Sequence, residues 1–232
     1  MTALPHLLPY SVAIPVAVVS SITVLLVAAS PIPGVRSRAA KEFRRIIDGV
    51  SCTPAKDLIH FKEVQAARFS SLRTALLAYE PHVLHISSQG QEDGSLRFEP
   101  DESGRDTVSK KQLLKLLETL NDNLRLVFFN AWHSLVLARD LPPIIDLALG
   151  MNSTIPDGDA IDFAVSFYET LAYGKPVERA FNTALSSLRD GDDELPVLFP
   201  IIENDRENKR KQILVPRPVY LAPPVKIPDQ AS

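Results

Sequence analysis

The stretch Leu124-Arg125-Leu126-Val127-Phe128-Phe129-Asn130-Ala131-Trp132-His133-Ser134 decides the fold. Its first half is a short apolar run rich in aromatic and branched side chains, too brief for a helix and without polar alternation. A strand covered on both faces reads this way, because neither set of alternate side chains meets water. Its second half is a polar turn that carries the chain off the strand's carboxyl end. Upstream, Val83-Leu84-His85-Ile86 leads into Ser87-Ser88-Gln89-Gly90, a second apolar run with a turn-forming exit.

Working outward from these two strands, helical and extended patterns alternate. Ile22 to Ala29 is a β-branched strand pattern, followed by a Pro-rich turn and a helix from about Ser37. Ala39, Phe43, Ile46 and Ile47 share one face of that helix, and Gly49 is its expected stop. A strand over Leu58 to Val64 precedes a helix carrying Phe69, Leu72, Leu76 and Leu77, closed before Pro81. The polar residues 90–107 read as a hairpin or loop over one sheet edge. Ser109 and Gln112 have capping-box spacing and open a helix with Leu113, Leu116, Leu117 and Leu120. Beyond Ser134 come a short helix, a strand at Ile144 to Leu149, a helix from Asp159, another from Lys175-Pro176, and a last strand at Val197 to Ile202. Strands separated by helices imply βαβ units, hence an α/β fold with a mostly parallel sheet of about six strands. Ligands of such sheets gather outside the carboxyl ends of the strands, which is where both quoted turns lie.

Composition narrows the function classes. The 45% hydrophobic and 23% charged residues suffice for one sizeable core, so the reading is a single domain over 22–202. Residues 1–21 form an apolar, Pro-containing extension, and 203–232 a charged loop and Pro-rich tail. A net charge of -3 gives no basic face for nucleic acid. Cys52 is the lone cysteine, so no intramolecular disulfide or Cys-based metal cluster forms, and neither metal nor cofactor is expected. Ser11 to Ser30 is apolar and long enough for a bilayer. No Lys or Arg precedes Arg36, Pro15 interrupts the run, and Ile22 to Ala29 suits a strand better than an anchor. A cytoplasmic, soluble protein is the expectation, with a membrane-anchored adaptor as the alternative.

Several segments together resemble a known family. Pro81-His82-Val83-Leu84-His85-Ile86-Ser87-Ser88-Gln89-Gly90 looks like the histidine-bearing strand exit of CHAT domains, the caspase-like peptidases of clan CD. Leu126 to Ser134 is similar to their cysteine-bearing strand and turn. Gly150-Met151, Ile155-Pro156-Asp157 and Ala160-Ile161-Asp162-Phe163 resemble the family's next motif. Phe167-Tyr168 with Gly174-Lys175-Pro176-Val177-Glu178-Arg179-Ala180-Phe181 resembles the last. Ala28-Ala29-Ser30-Pro31, with Glu42 in the following helix, fits the family's start. The resemblance spans about residues 22–202 and implies a three-layer caspase-like sandwich.

The departures carry the functional expectation. Active members pair a histidine with a cysteine whose thiolate attacks a peptide carbonyl. The resemblance places Gln89 at the histidine position and Trp132 at the cysteine position. A carboxamide takes no proton near neutral pH, and an indole N–H only donates. The implied protein is a pseudoprotease acting as an interaction or regulatory module. Its partner would be another protein, such as an active protease or effector, in a defence or cell-death pathway. Residues of the vestigial cleft would be His85, Ser88, Gly90, Asn130, His133 and Asp157. Trp132 would be either an exposed anchor for a partner or a plug of the old cleft. His85, inside the strand, reads better as a core histidine than as a base. The competing reading is an active hydrolase with a non-family nucleophile such as Cys52 or Ser134, though Ser134 is well explained as a helix N-cap. Asp157, Asp159 and Asp162 read as helix-start acids rather than metal ligands, and family members can use an acid near Asp157 to line a pocket for a basic side chain.

Overall fold

The computed structural model describes residues 21–152, 155–189, 196–199 and 214. From Ile22 the elements follow as β1 (Ile22–Ala29), α1 (Pro33–Ser51), β2 (Ile59–Val64), α2 (Phe69–Tyr79) and β3 (Val83–Ser88). A small ribbon of β4 (Leu96–Arg97) and β5 (Thr107–Val108) precedes α3 (Lys110–Thr119), β6 (Leu126–Asn130) and α4 (Leu135–Asp140). The chain continues through β7 (Leu147–Gly150), α5 (Asp157–Ala172), α6 (Val177–Leu185) and β8 (Val197–Phe199).

One six-stranded sheet runs β2-β1-β3-β6-β7-β8, with every pair parallel except β7 and β8. The expected mostly parallel α/β architecture is therefore the observed one. Alternation within the strands builds two cores. Val24, Leu26, Val83, Phe128 and Leu149 face α1, α5 and α6, where Phe43, Phe163, Phe167 and Tyr168 meet them. Leu25, Val27, Leu84, Ile86, Val127 and Phe129 face α2, α3 and α4 through Leu72, Leu113, Leu117 and Leu137. Each fully buried aliphatic or phenyl side chain contributes about 1.5–3 kcal/mol, which is why the central strands carry no solvated face.

Several element boundaries differ from the sequence reading. Helix α1 begins at Pro33, four residues before Ser37, because proline at a helix start forfeits no intrahelical bond. It also runs past Gly49 to Ser51, so the glycine does not end the helix; a Cβ on Gly49 would sit 2.5 Å from Glu169 Oε1, the tip of a side chain on α5. Leu58 closes a short 3₁₀ turn, and β2 starts at Ile59. Strand β7 begins only at Leu147, since the amides of Ile144 and Ile145 both donate to Leu141 O. Residues 90–107 do not cover a sheet edge. Leu96 and Phe98 are buried in the second core, so the β4–β5 ribbon caps a face, and the edges are β2 and β8. The capping box at Ser109 and Gln112 is present in full. Of the expected last strand, Val197–Phe199 is seen, and 200–202 lie outside the described residues, as do the tail, 203–232 apart from Leu214, and residues 1–20 of the N-terminal extension. The second half of the apolar Ser11–Ser30 run is the buried interior strand β1. No helix among the described residues is long and apolar enough to cross a membrane.

Candidate functional site

Strands β3 and β6 are neighbours, and their last paired residues are Ser87 and Asn130. The two exits therefore leave the sheet side by side. They touch at the backbone: a Cβ on Gly90 would collide with the carbonyl oxygen of Trp132. Glycine at 90 is thus required by the approach of the second exit. Gln89 and Trp132, one on each exit, are both half-buried. Gln89 Oε1 and the Trp132 indole nitrogen are enclosed without a hydrogen-bond partner. Trp132 is accordingly neither a fully exposed anchor nor a core residue. His133 follows at φ 54°, a left-handed conformation that concentrates strain in this turn.

Beneath the exits lies a buried polar cluster. Asn130 Nδ2 donates to Glu42 Oε1 at 2.5 Å, and His85 Nε2 lies 3.0 Å from the same oxygen. His85 Nδ1 is 3.2 Å from the Tyr168 hydroxyl, and its ring packs on Phe128 at a 4.4 Å centroid separation. Burial works to raise the Glu42 pKa. The charge and hydrogen bond of His85, the Asn130 amide and the charge of Arg38 outweigh it and carry the carboxyl below its ordinary value. Tyr168 moves up, through burial first and the Glu42 charge second. His85 has no exposed surface, so it belongs to the core and does not line the cleft. Asn130 likewise turns inward. Ser88 is buried, its hydroxyl donating to Arg97 O at 2.6 Å, which joins the β3 exit to the ribbon.

Arg38, in the second turn of α1, was not singled out by the sequence. Its Nη1 donates to Asp157 Oδ1 at 3.0 Å, and its Nη2 to the carbonyls of Ser88 and Asn130 at 3.4 Å each. The usable signal was its place one helical turn before Glu42, beside the apolar stripe of α1, where a charge needs a partner. Asp162 pairs with Arg45 at 2.6 Å and Asp159 with Arg189 at 3.3 Å, so with Asp157 on Arg38 each of the three aspartates of α5 faces an arginine. None caps the helix by side chain, because α5 starts at Asp157 itself behind Pro156.

The two alternative nucleophiles have opposite surroundings. Ser134 is fully buried; it donates to Phe129 O and accepts from Met151 N, bridging the ends of β6 and β7 instead of capping α4. Cys52 is exposed at the far end of α1, about 20 Å along the helix axis from Arg38.

Comparison with known proteins places the fold. No family model matches the chain, and no curated protein matches it. A secreted C11 cysteine protease from Bacteroides thetaiotaomicron, solved with an irreversible peptide inhibitor, superposes with a TM-score of 0.53 at 11% identity. The fold is caspase-like. The match covers 72% of this chain and 58% of the protease, so this chain spans little more than half of that protein's length. Chaetomium thermophilum Raptor aligns at a TM-score of 0.43 and 9% identity, over 70% of this chain and 20% of that one.

Proposed function

We propose that this chain is a CHAT-type pseudoprotease, a caspase-like domain without peptidase chemistry that uses the two strand exits as a protein-binding cleft. The reading rests chiefly on Gln89 and Trp132 at two exits that touch through Gly90. On the caspase-like sheet these positions would hold a base and a thiol. Gln89 supplies an amide and Trp132 an indole donor, groups that recognise a peptide but do not cleave it. The partner is a protein, such as an active protease or effector in a defence or cell-death pathway.

The test is peptidase activity of the native chain and of Gln89→His with Trp132→Cys. Both are assayed against peptides with Arg, Lys or Asp before the scissile bond. The native chain is expected to be inert. Cleavage by the double variant alone would indicate an intact cleft that lacks only its reacting groups. Cleavage by the native chain that is abolished by Cys52→Ser or Ser134→Ala would overturn the reading in favour of an active hydrolase.

A further inference from the structure

Between α2, the β4–β5 ribbon and the start of α3 lies a cavity of about 200 Å³, lined by none of the residues of the two strand exits. Its floor is apolar. Phe98 and Val108 are buried in the second core, and Phe69 meets Phe98 edge to face at a centroid separation of 5.8 Å. Its rim carries Arg73 of α2, Glu99 and, further along the chain, Asp101 and Arg105. The two acids are already engaged. Glu99 Oε1 lies 3.2 Å from Arg36 Nη1, and Asp101 Oδ1 accepts from Ser103 N, Ser103 Oγ and Arg105 N within its own turn. The Arg73 guanidinium has no hydrogen bond or ion pair among the described residues. Arg105 adds a second exposed positive charge. An aromatic floor thus lies beneath a guanidinium that the acids beside it do not neutralise, a setting for a ring that carries an anionic group. Size restricts the occupant further. Clefts for drug-sized ligands start at about 300 Å³, whereas an apolar cavity of about 150 Å³ holds a single benzene ring. The space admits one ring and a small charged group.

We propose that this cavity is a second binding site, for an aromatic carboxylate whose ring rests on Phe69, Phe98 and Val108 and whose carboxylate pairs with Arg73, with Arg105 beside it. A free aromatic acid and the carboxyl terminus of a chain ending in phenylalanine share this chemistry. Neither Gln89 nor Trp132 lines the cavity, so the site stands or falls apart from the pseudoprotease reading.

The probes are phenylacetate, its uncharged counterpart phenylacetamide, acetate, which has no ring, and the tripeptide Gly-Gly-Phe. Binding to the full chain is followed by NMR titration and thermal shift, for the native sequence and for Arg73→Gln. Arg73 is exposed and unpaired, so the variant is expected to fold as the native chain does. The native chain should bind phenylacetate in the millimolar range that a ligand of this size reaches. It should prefer phenylacetate to phenylacetamide by at least about fivefold, because only the carboxylate makes a charge-assisted bond to the guanidinium. Resonances of Phe98 and Val108 should move with phenylacetate and stay in place with acetate. Arg73→Gln should lose the preference for the charged ligand while the ring still binds weakly. Equal affinity of the native chain for phenylacetate and phenylacetamide would overturn the proposal, as would unmoved Phe98 and Val108 resonances or an Arg73→Gln chain that keeps the preference. Gly-Gly-Phe separates the two sources of the ligand. Binding as tight as that of phenylacetate assigns the site to a chain terminus, and weaker binding assigns it to a free acid.

Discussion

Asn130 and Glu42 meet at 2.5 Å in the buried layer between sheet and α1, the amide of the last β6 residue donating to the carboxylate of the helix. This bond fixes the turn that carries Trp132 and His133, since Asn130 immediately precedes it. It also gives the carboxylate part of the compensation that a buried charge requires. Structure at the exit is thus secured from below, by groups that have no contact with solvent.

Replacing Asn130 by Asp keeps the shape and sets two carboxyls against each other. One of them must then titrate well above its ordinary value. A group raised in the folded state favours folding at low pH and loses that contribution as pH rises through its folded value. Asn130→Asp should therefore cost about 3–5 kcal/mol at pH 7 and clearly less near pH 5. Urea unfolding at the two pH values reads this, and an equal loss at both would show that the residue is not apposed to a charged Glu42. In the native chain the sign is opposite. The Glu42 pKa lies below its ordinary 4.5, so its contribution is complete above that value and fades as pH falls beneath it.

His82 offers a second titration. Its Nδ1 accepts from Thr23 N at 3.1 Å, linking the start of β3 to β1, and only the neutral ring leaves that nitrogen free to accept. Burial, with the Arg125 charge behind it, lowers its pKa from the ordinary 6.5. The unfolded chain then binds the proton more readily, so native stability declines as pH drops below 6.5 and levels off beneath the folded value. His82→Gln retains an acceptor and removes the titration. Stability between pH 7 and pH 5 should fall less steeply in that variant, and identical slopes by urea unfolding would refute the assignment.

The strands were legible because their apolar runs are short, branched and bounded by turns. Phe128 and Phe129 point to opposite faces, and both faces are covered. Helix ends were harder to read, since Gly49 marks a stop in isolation and lies here inside α1, beside the Glu169 side chain. Gln89, Trp132 and Gly90 are marked in the sequence by the family resemblance alone, and the pairing of β3 with β6 brings their exits together. Arg38 is not marked there, because its three acceptors come from β3, β6 and α5, and no local pattern reports such a convergence. The place of His85 inside the strand marks it as a core residue and not, as the resemblance implies, a residue of the cleft, and its partners Glu42 and Tyr168 lie 43 residues before and 83 residues after it in the chain.

Gly90 tests the apposition of the exits. Any Cβ there meets the Trp132 carbonyl, a backbone atom that moves only with its whole turn. Gly90→Ala should destabilise by about 1–3 kcal/mol through overpacking and alter the environment of the single tryptophan. Denaturant unfolding followed by Trp132 fluorescence measures both. A change under 0.5 kcal/mol with an unshifted emission maximum would mean the exits are not in contact.

Gly49 gives the sharpest test of how α1 and α5 meet. Alanine is favoured over glycine in a helix interior by about 1 kcal/mol, and Gly49 sits inside α1. Its added Cβ would lie 2.5 Å from Glu169 Oε1 and 3.1 Å from Glu169 Cγ, so the propensity gain is opposed by the side chain of the facing helix. Gly49→Ala alone should therefore be neutral or destabilising. In a Glu169→Ala background the obstacle is gone, and the same change should stabilise by about 0.5–1 kcal/mol. A double-mutant cycle by urea unfolding isolates the coupling between the two positions. A gain of the same size in both backgrounds would show that Glu169 does not oppose a side chain at 49, and that the glycine has some other cause.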